Sequence, residues 1–217
     1  SSAYMYVSPR AHDDYLRVYE RSLLHALDDI AAAIPHAELS IQWDICQEVL
    51  VFENYFPSRP ADYKARIIAL LERLAAAVPA DVELGYHLCY GSPADQHLVM
   101  PTDAGVLAEL TRAIVTAVRR PLGFIHLPVP RERDDAAYFA PLRGLRLPEG
   151  TRLYLGLIHH DDADGDRRRM DTARAAVGGG FGVATECGWG RGEPARLDAL
   201  LESHRRAVDY LLAGAAR

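Results

Sequence analysis

Only 3 of the 217 residues are cysteine, and Cys46, Cys89 and Cys187 lie far apart. An odd, scattered set cannot close the disulfide framework that staples small secreted domains. These residues are therefore thiols or metal ligands in a reducing compartment, and the cytoplasm is the expected location. A basic excess is also lacking: 24 Lys and Arg stand against 30 Asp and Glu, a formal charge of −6. Nucleic-acid binders usually show a basic excess or a basic stripe, so no nucleic-acid partner is expected. No apolar run approaches the roughly 18 residues of a membrane span, and no membrane partner is expected either. Ser1 to Arg10 has no basic segment followed by an apolar stretch, so it does not read as a secretion signal. What is present is a globular composition, 49% hydrophobic and 25% charged, enough to bury a core.

Helical and extended patterns alternate along the chain. Asp13 to Ile34 places Leu16, Leu23, Leu24, Leu27 and Ile30 at helical spacing, and Pro35 ends the pattern. Glu38 to Asp44 reads as a strand, followed by an irregular stretch through Pro57 and Pro60 and a helix over Ala61 to Ala77. Glu83 to Cys89 is the second strand, and Asp103 to Arg119 a helix that Thr102 or Asp103 caps. Leu122 to Val129 is the third strand, with a short helix inside Asp134 to Leu142 after it, and Arg152 to Ile158 is the fourth. Asp166 to Val177 reads as a helix stopped by Gly178, Phe181 to Thr185 as the fifth strand, and Leu197 to Ala213 as the last helix.

This order, a helix followed by five βα units, predicts an α/β fold with a parallel sheet and helices outside it. No repeat or linker interrupts it, so residues 1–217 read as a single domain. Five strands fall short of the eight of a closed barrel. Either the sheet is open, or Met5 to Val7 is the remnant of a preceding strand and part of a barrel is missing.

The sharpest chemical signal is Tyr86-His87-Leu88-Cys89-Tyr90 at the end of the second strand. Side chains two apart on a strand face the same side, about 7 Å apart at their Cα atoms, so His87 and Cys89 reach one metal ion. Cys187 ends the fifth strand in Thr185-Glu186-Cys187-Gly188-Trp189, and His126 ends the third. In parallel α/β folds the carboxyl ends of the strands meet at the active site. Two thiolates with one or two imidazoles suit Zn²⁺. Asp44, at the end of the first strand, is a candidate substrate-facing acid that Glu48 joins. His159 and His160 end the fourth strand, and parity with Tyr154, Gly156 and Ile158 turns His160 inward. Trp189 and Arg191 sit in a glycine-rich turn suited to an anion.

Three short motifs, in this order, carry a resemblance: Ile41-Gln42-Trp43-Asp44, His87-Leu88-Cys89-Tyr90 and Thr185-Glu186-Cys187-Gly188. The chain resembles the catalytic barrel of cobalamin-independent methionine synthase and its relatives, from about Ser40 to Leu212. The resemblance implies a (βα)8 TIM-barrel type fold, with the N-terminal βα units missing from this chain. It implies a zinc-dependent transferase that activates a thiol for methyl or alkyl transfer, with His87, Cys89 and Cys187 as ligands. The family's glutamate ligand falls where this sequence has His126. Asp44 and His160 are then the catalytic candidates, and Gln42, Trp43, Glu48, Trp189 and Arg191 line the substrate. The expected partner is a small molecule, a thiol by the resemblance, with room for a homo-oligomer.

The sequence departs from the family where Ile45-Cys46 stands in place of Glu-Pro, so the amino-acid pocket is altered. Exchanging a carboxylate ligand for a neutral imidazole makes the metal a stronger Lewis acid and a bound thiolate less nucleophilic. Two alternatives stay open: a zinc hydrolase or lyase acting on a small carbonyl compound, and a ligand-binding relative without activity. Cys46 itself reads as a buried thiol.

Overall fold

A computed structural model describes residues 7–56, 59–93, 97–178 and 180–215 of the chain. Of the expected remnant strand, Met5 and Tyr6 lie outside the described residues. Five strands, β1 (Ser40–Ile45), β2 (Glu83–Leu88), β3 (Phe124–Pro128), β4 (Arg152–Ile158) and β5 (Phe181–Thr185), form one sheet in the order β1-β2-β3-β4-β5. All neighbours pair in parallel. Seven α-helices accompany it among the described residues: α1 (His12–Ala33), α2 (Gln47–Phe52), α3 (Tyr63–Ala77), α4 (Gly105–Ala117), α5 (Ala136–Phe139), α6 (Ala163–Val177) and α7 (Leu197–Ala215).

The strand order decides the layers. A doubly wound sheet reverses direction once to place helices on both faces, whereas this order never reverses. With right-handed crossovers, every connecting helix then falls on one face. Burial follows: Ile41, Ile45, Leu84, Leu88, Ile125, Leu127 and Leu155 are buried toward the helices. The opposite face carries Gln42, Asp44, His87, His126 and Tyr154. Among the described residues β1 and β5 are the open edges, so the sheet is consistent with part of a TIM-type barrel and is not itself a closed one.

The expected helices and strands recur with shifts of a few residues at their ends, and two differences have physical causes. The stretch after β1 is not all irregular, because Gln47–Phe52 forms α2. Val49, Leu50, Val51 and Phe52 are all buried, and an apolar run this short has no period to betray a helix. On α1 only Leu27 is buried and Ile30 is 43% exposed. This helix flanks the edge of the sheet and meets α3 through ion pairs such as Glu20 with Arg73 at 2.8 Å. The Asp103 carboxylate accepts the Gly105 N–H at 2.7 Å, but the N-cap of α4 is Ala104, which makes no side-chain cap bond, in place of the expected Thr102 or Asp103.

Two devices hold the carboxyl end of β4 in place. Gly156 lets the backbone of β5 approach closely, because a Cβ there would lie 2.6 Å from the Cα of Glu186 and 2.8 Å from the Thr185 carbonyl oxygen. Arg169 of α6 is fully buried and donates to the Leu157 carbonyl at 2.9 Å, the Arg131 carbonyl at 2.6 Å, Asp162 at 2.9 Å and Asp166 at 2.6 Å. It ties the loop after β4 to the loop after β3. Arg169→Met leaves the buried Asp166 carboxylate without its cation, a change that costs about 3–5 kcal/mol. Urea unfolding should show that loss, and adding Asp166→Asn should restore part of it.

Candidate metal centre

Strand register brings the site together before any side chain is considered. Asp44 lies beside His87 across β1 and β2, and His87 lies beside His126 across β2 and β3. Cys89 follows β2 directly, and its N–H donates to the Ile45 carbonyl at 3.2 Å. Cys187 lies two residues beyond β5, where the Thr185 hydroxyl donates to its carbonyl at 2.7 Å.

The ligating atoms of His87, Cys89 and Cys187 all fall within 4.8 Å of one another, and the two sulfurs are 3.7 Å apart. Two thiolates each about 2.3 Å from a tetrahedral zinc stand about 3.8 Å apart, so the spacing matches. His87 is only 4% exposed, and neither of its ring nitrogens has a hydrogen-bond partner. Buried polar atoms are almost always paired, so these nitrogens could take a ligand, as could the unpartnered Nε2 of His126. The thiols are electrically unequal. A hydrogen bond from Cys89, with help from His87, holds the Cys187 pKa well below the usual thiol range. The hydrogen bonds of Cys89 to Cys187 and Cys46, together with burial, push its own pKa up.

His126 is near this group and not in it. Its ring stacks on His87 with centroids 4.5 Å apart. Burial, then the adjacent His87, lowers its pKa to about 3, against a hydrogen bond to the Thr185 backbone. It is a neutral wall of the site. Glu109 is no substitute ligand, since it pairs with Lys64 at 2.5 Å among the helices.

The remaining candidates divide by face. Gln42 donates to Asp44 at 2.7 Å on the exposed side of β1. Strand parity turns Trp43 the other way, partly buried against the helix-side core. Glu48 belongs to α2 and is buried beside the same helix-side cavity as Trp43. A cleft of about 360 Å³ opens at Cys187, lined by His159, His160, Glu186 and Trp189 among others. Trp189 donates from Nε1 to the Thr185 hydroxyl at 2.7 Å, and nothing is described for the Arg191 side chain. His160 is partly exposed, with Nδ1 3.2 Å from Asp161. Simple alternation does not settle which histidine faces the cleft, because the β4–β5 register shifts between Leu155 and Ile158. Both line it, but the His159 ring is fixed to the Val129 carbonyl at 2.9 Å.

Two residues were not singled out as site residues in the sequence. Buried His97 pairs with Glu186 at 2.5 Å. Burial opposes its protonation, but the hydrogen bond and charge of Glu186 outweigh that and raise its pKa. This pair occupies the one carboxylate next to Cys187, and no local motif announced it. The other is Cys46, set abreast of Cys89 by the pairing of Ile45 with Leu88.

No family model and no curated protein sequence matches the chain. Among solved structures, it is similar to a B12-independent methionine synthase from Shewanella sp. W3-18-1 in complex with selenomethionine, at 17% identity and a TM-score of 0.62. That match covers 96% of this chain and 58% of the other. It is also similar to a putative vitamin-B12 independent methionine synthase from Listeria monocytogenes, at 18% identity and a TM-score of 0.59, over 93% of this chain and 57% of the other. The chain thus spans less than two thirds of either neighbour. At this identity the likeness establishes a related fold and no specific family. No helix among the described residues is long and apolar enough to cross a membrane.

Acid sensitivity follows from His159. Burial, ahead of the nearby charges, lowers its pKa from 6.5 to about 4. Between those values the unfolded chain binds more protons than the folded one, so stability rises with pH there and is lost as pH falls. The loss between pH 7 and pH 4 from this residue is about 3 kcal/mol. Denaturant midpoints measured across that range should fall less in His159→Gln than in the parent.

Proposed function

We propose that the chain binds zinc through His87, Cys89 and Cys187 and activates a small thiol for alkyl, in particular methyl, transfer. One observation carries this reading: two thiols at metal-site spacing face a buried imidazole whose nitrogens have no other partner. The fold likeness and the ordered strand-end motifs support it. A bound zinc would supply Lewis acidity, keeping a substrate sulfur as thiolate near neutral pH.

The protein's own groups supply the rest. Asp44, held by Gln42, offers a carboxylate on the open face beside His87 and orients a polar or cationic group of the substrate. His160, in the cleft with Cys187 and close to Asp161, is placed to carry the thiol proton away. The His87–His126 stack forms the other wall, and the buried His126 ring carries no charge there. Such chemistry belongs in a reducing compartment, in keeping with a cytoplasmic location.

A second reading keeps the metal and changes the substrate to a small carbonyl compound, hydrolysed or cleaved. It draws on His159 and His160 lining the same cleft, proton carriers that water activation requires.

Protein purified under reducing conditions should hold about one equivalent of zinc, and Cys89→Ser or Cys187→Ser should weaken zinc affinity by more than about 100-fold, beyond the effect of losing an outer-shell partner. Asp44→Asn should leave zinc content intact and slow transfer from a methyl donor to a monothiol by about 10- to 100-fold, the range of a lost positioning or acid–base group. Turnover of a carbonyl substrate without any thiol alkylation would favour the second reading. Zinc below a tenth of an equivalent would remove both.

A further inference from the structure

The metal reading leaves one coordination position unassigned, and a third sulfur lies next to it. Cys46 follows β1 directly, as Cys89 follows β2, and the pairing of Ile45 with Leu88 sets the two cysteines abreast. Parity along β1 puts Cys46 on the face of Gln42 and Asp44, the face of His87. Cys46 is only partly buried, and it ends the strand at the N-cap of α2, where it makes no side-chain cap bond. Nothing in the helix terminus holds its sulfur.

Glu186 is paired with His97 and Glu109 with Lys64. His126 keeps an unpartnered Nε2, but its ring is stacked flat on that of His87, so Cys46 is the further donor whose soft sulfur matches the two thiols already present. Resting on the zinc reading above, we infer that Cys46 is the fourth ligand, so that the resting centre is a three-cysteine, one-histidine site. Three soft sulfurs and one imidazole match a zinc set closed at four ligands. Cys46 stands outside the 4.8 Å group that the other three form, so a bound ion would have to draw its side chain in. A substrate thiol entering such a centre would take the place of one zinc-bound sulfur and pass its proton to the thiolate released, and Cys46, standing apart from the other three, is the ligand placed to leave.

The test is the sulfur count around zinc, read by X-ray absorption fine structure on zinc-loaded protein kept reduced with a phosphine, so that no reductant thiol competes. Three sulfurs and one nitrogen are expected in the parent, two sulfurs in Cys46→Ser and Cys46→Ala, and zinc affinity at least about 10-fold weaker in both. Addition of 2-mercaptoethanol should leave the count in the parent at three and raise it in Cys46→Ala from two to three. Two sulfurs in the parent, unchanged by either substitution, would overturn the role of Cys46 and leave the zinc reading standing. Failure of the parent to bind zinc would overturn both. The parent's count decides the question even if a variant does not fold.

Discussion

A buried imidazole with two unpartnered nitrogens, set against two thiols, is an unstable arrangement unless something binds there. Removing a polar group from water without giving it a partner costs on the order of 1–3 kcal/mol. In His87 that cost falls at the one place where the carboxyl ends of β2 and β5 come close enough for Cys89 and Cys187 to approach to 3.7 Å. The rest of the architecture serves this approach. Sequential parallel strands send every helix to one face and leave the other for chemistry, and Gly156 gives β5 the clearance to draw in beside β4. Arg169 fixes the loop behind the cleft through four acceptors, so that His159 and His160 stand in defined places.

The site is polarised. On one side, His87 stacks on His126, whose burial disfavours positive charge. On the other, Glu186 engages His97 and so keeps its carboxylate away from the thiols. Between them the three sulfurs share protons unequally, with Cys89 retaining its own and Cys187 giving its up most readily. A soft cation replaces those protons with a single charge that all of the donors favour.

Much of this was legible in the chain. Period two alone put His87 and Cys89 on one side of β2, and the α/β rule that strand ends converge brought Cys187 to them. The same period, carried two residues past Asp44, points to Cys46. Parity also corrects Trp43, one residue from Asp44 and thus on the opposite face. What was not legible depends on tertiary detail. The shift in β4–β5 pairing between Leu155 and Ile158 removes the basis for choosing between His159 and His160. The pairing of His97 with Glu186 joins residues 89 positions apart. The six-residue α2 is buried so completely that its sequence carries no amphipathic signal.

The most direct test is a crystal of the chain grown with zinc, with diffraction recorded just above and just below the zinc absorption edge. The account predicts one anomalous peak about 2.0–2.3 Å from a His87 ring nitrogen and from the sulfurs of Cys89 and Cys187. A map without that peak, or with the His87 ring turned to bond a protein group and the sulfurs drawn apart, would contradict it.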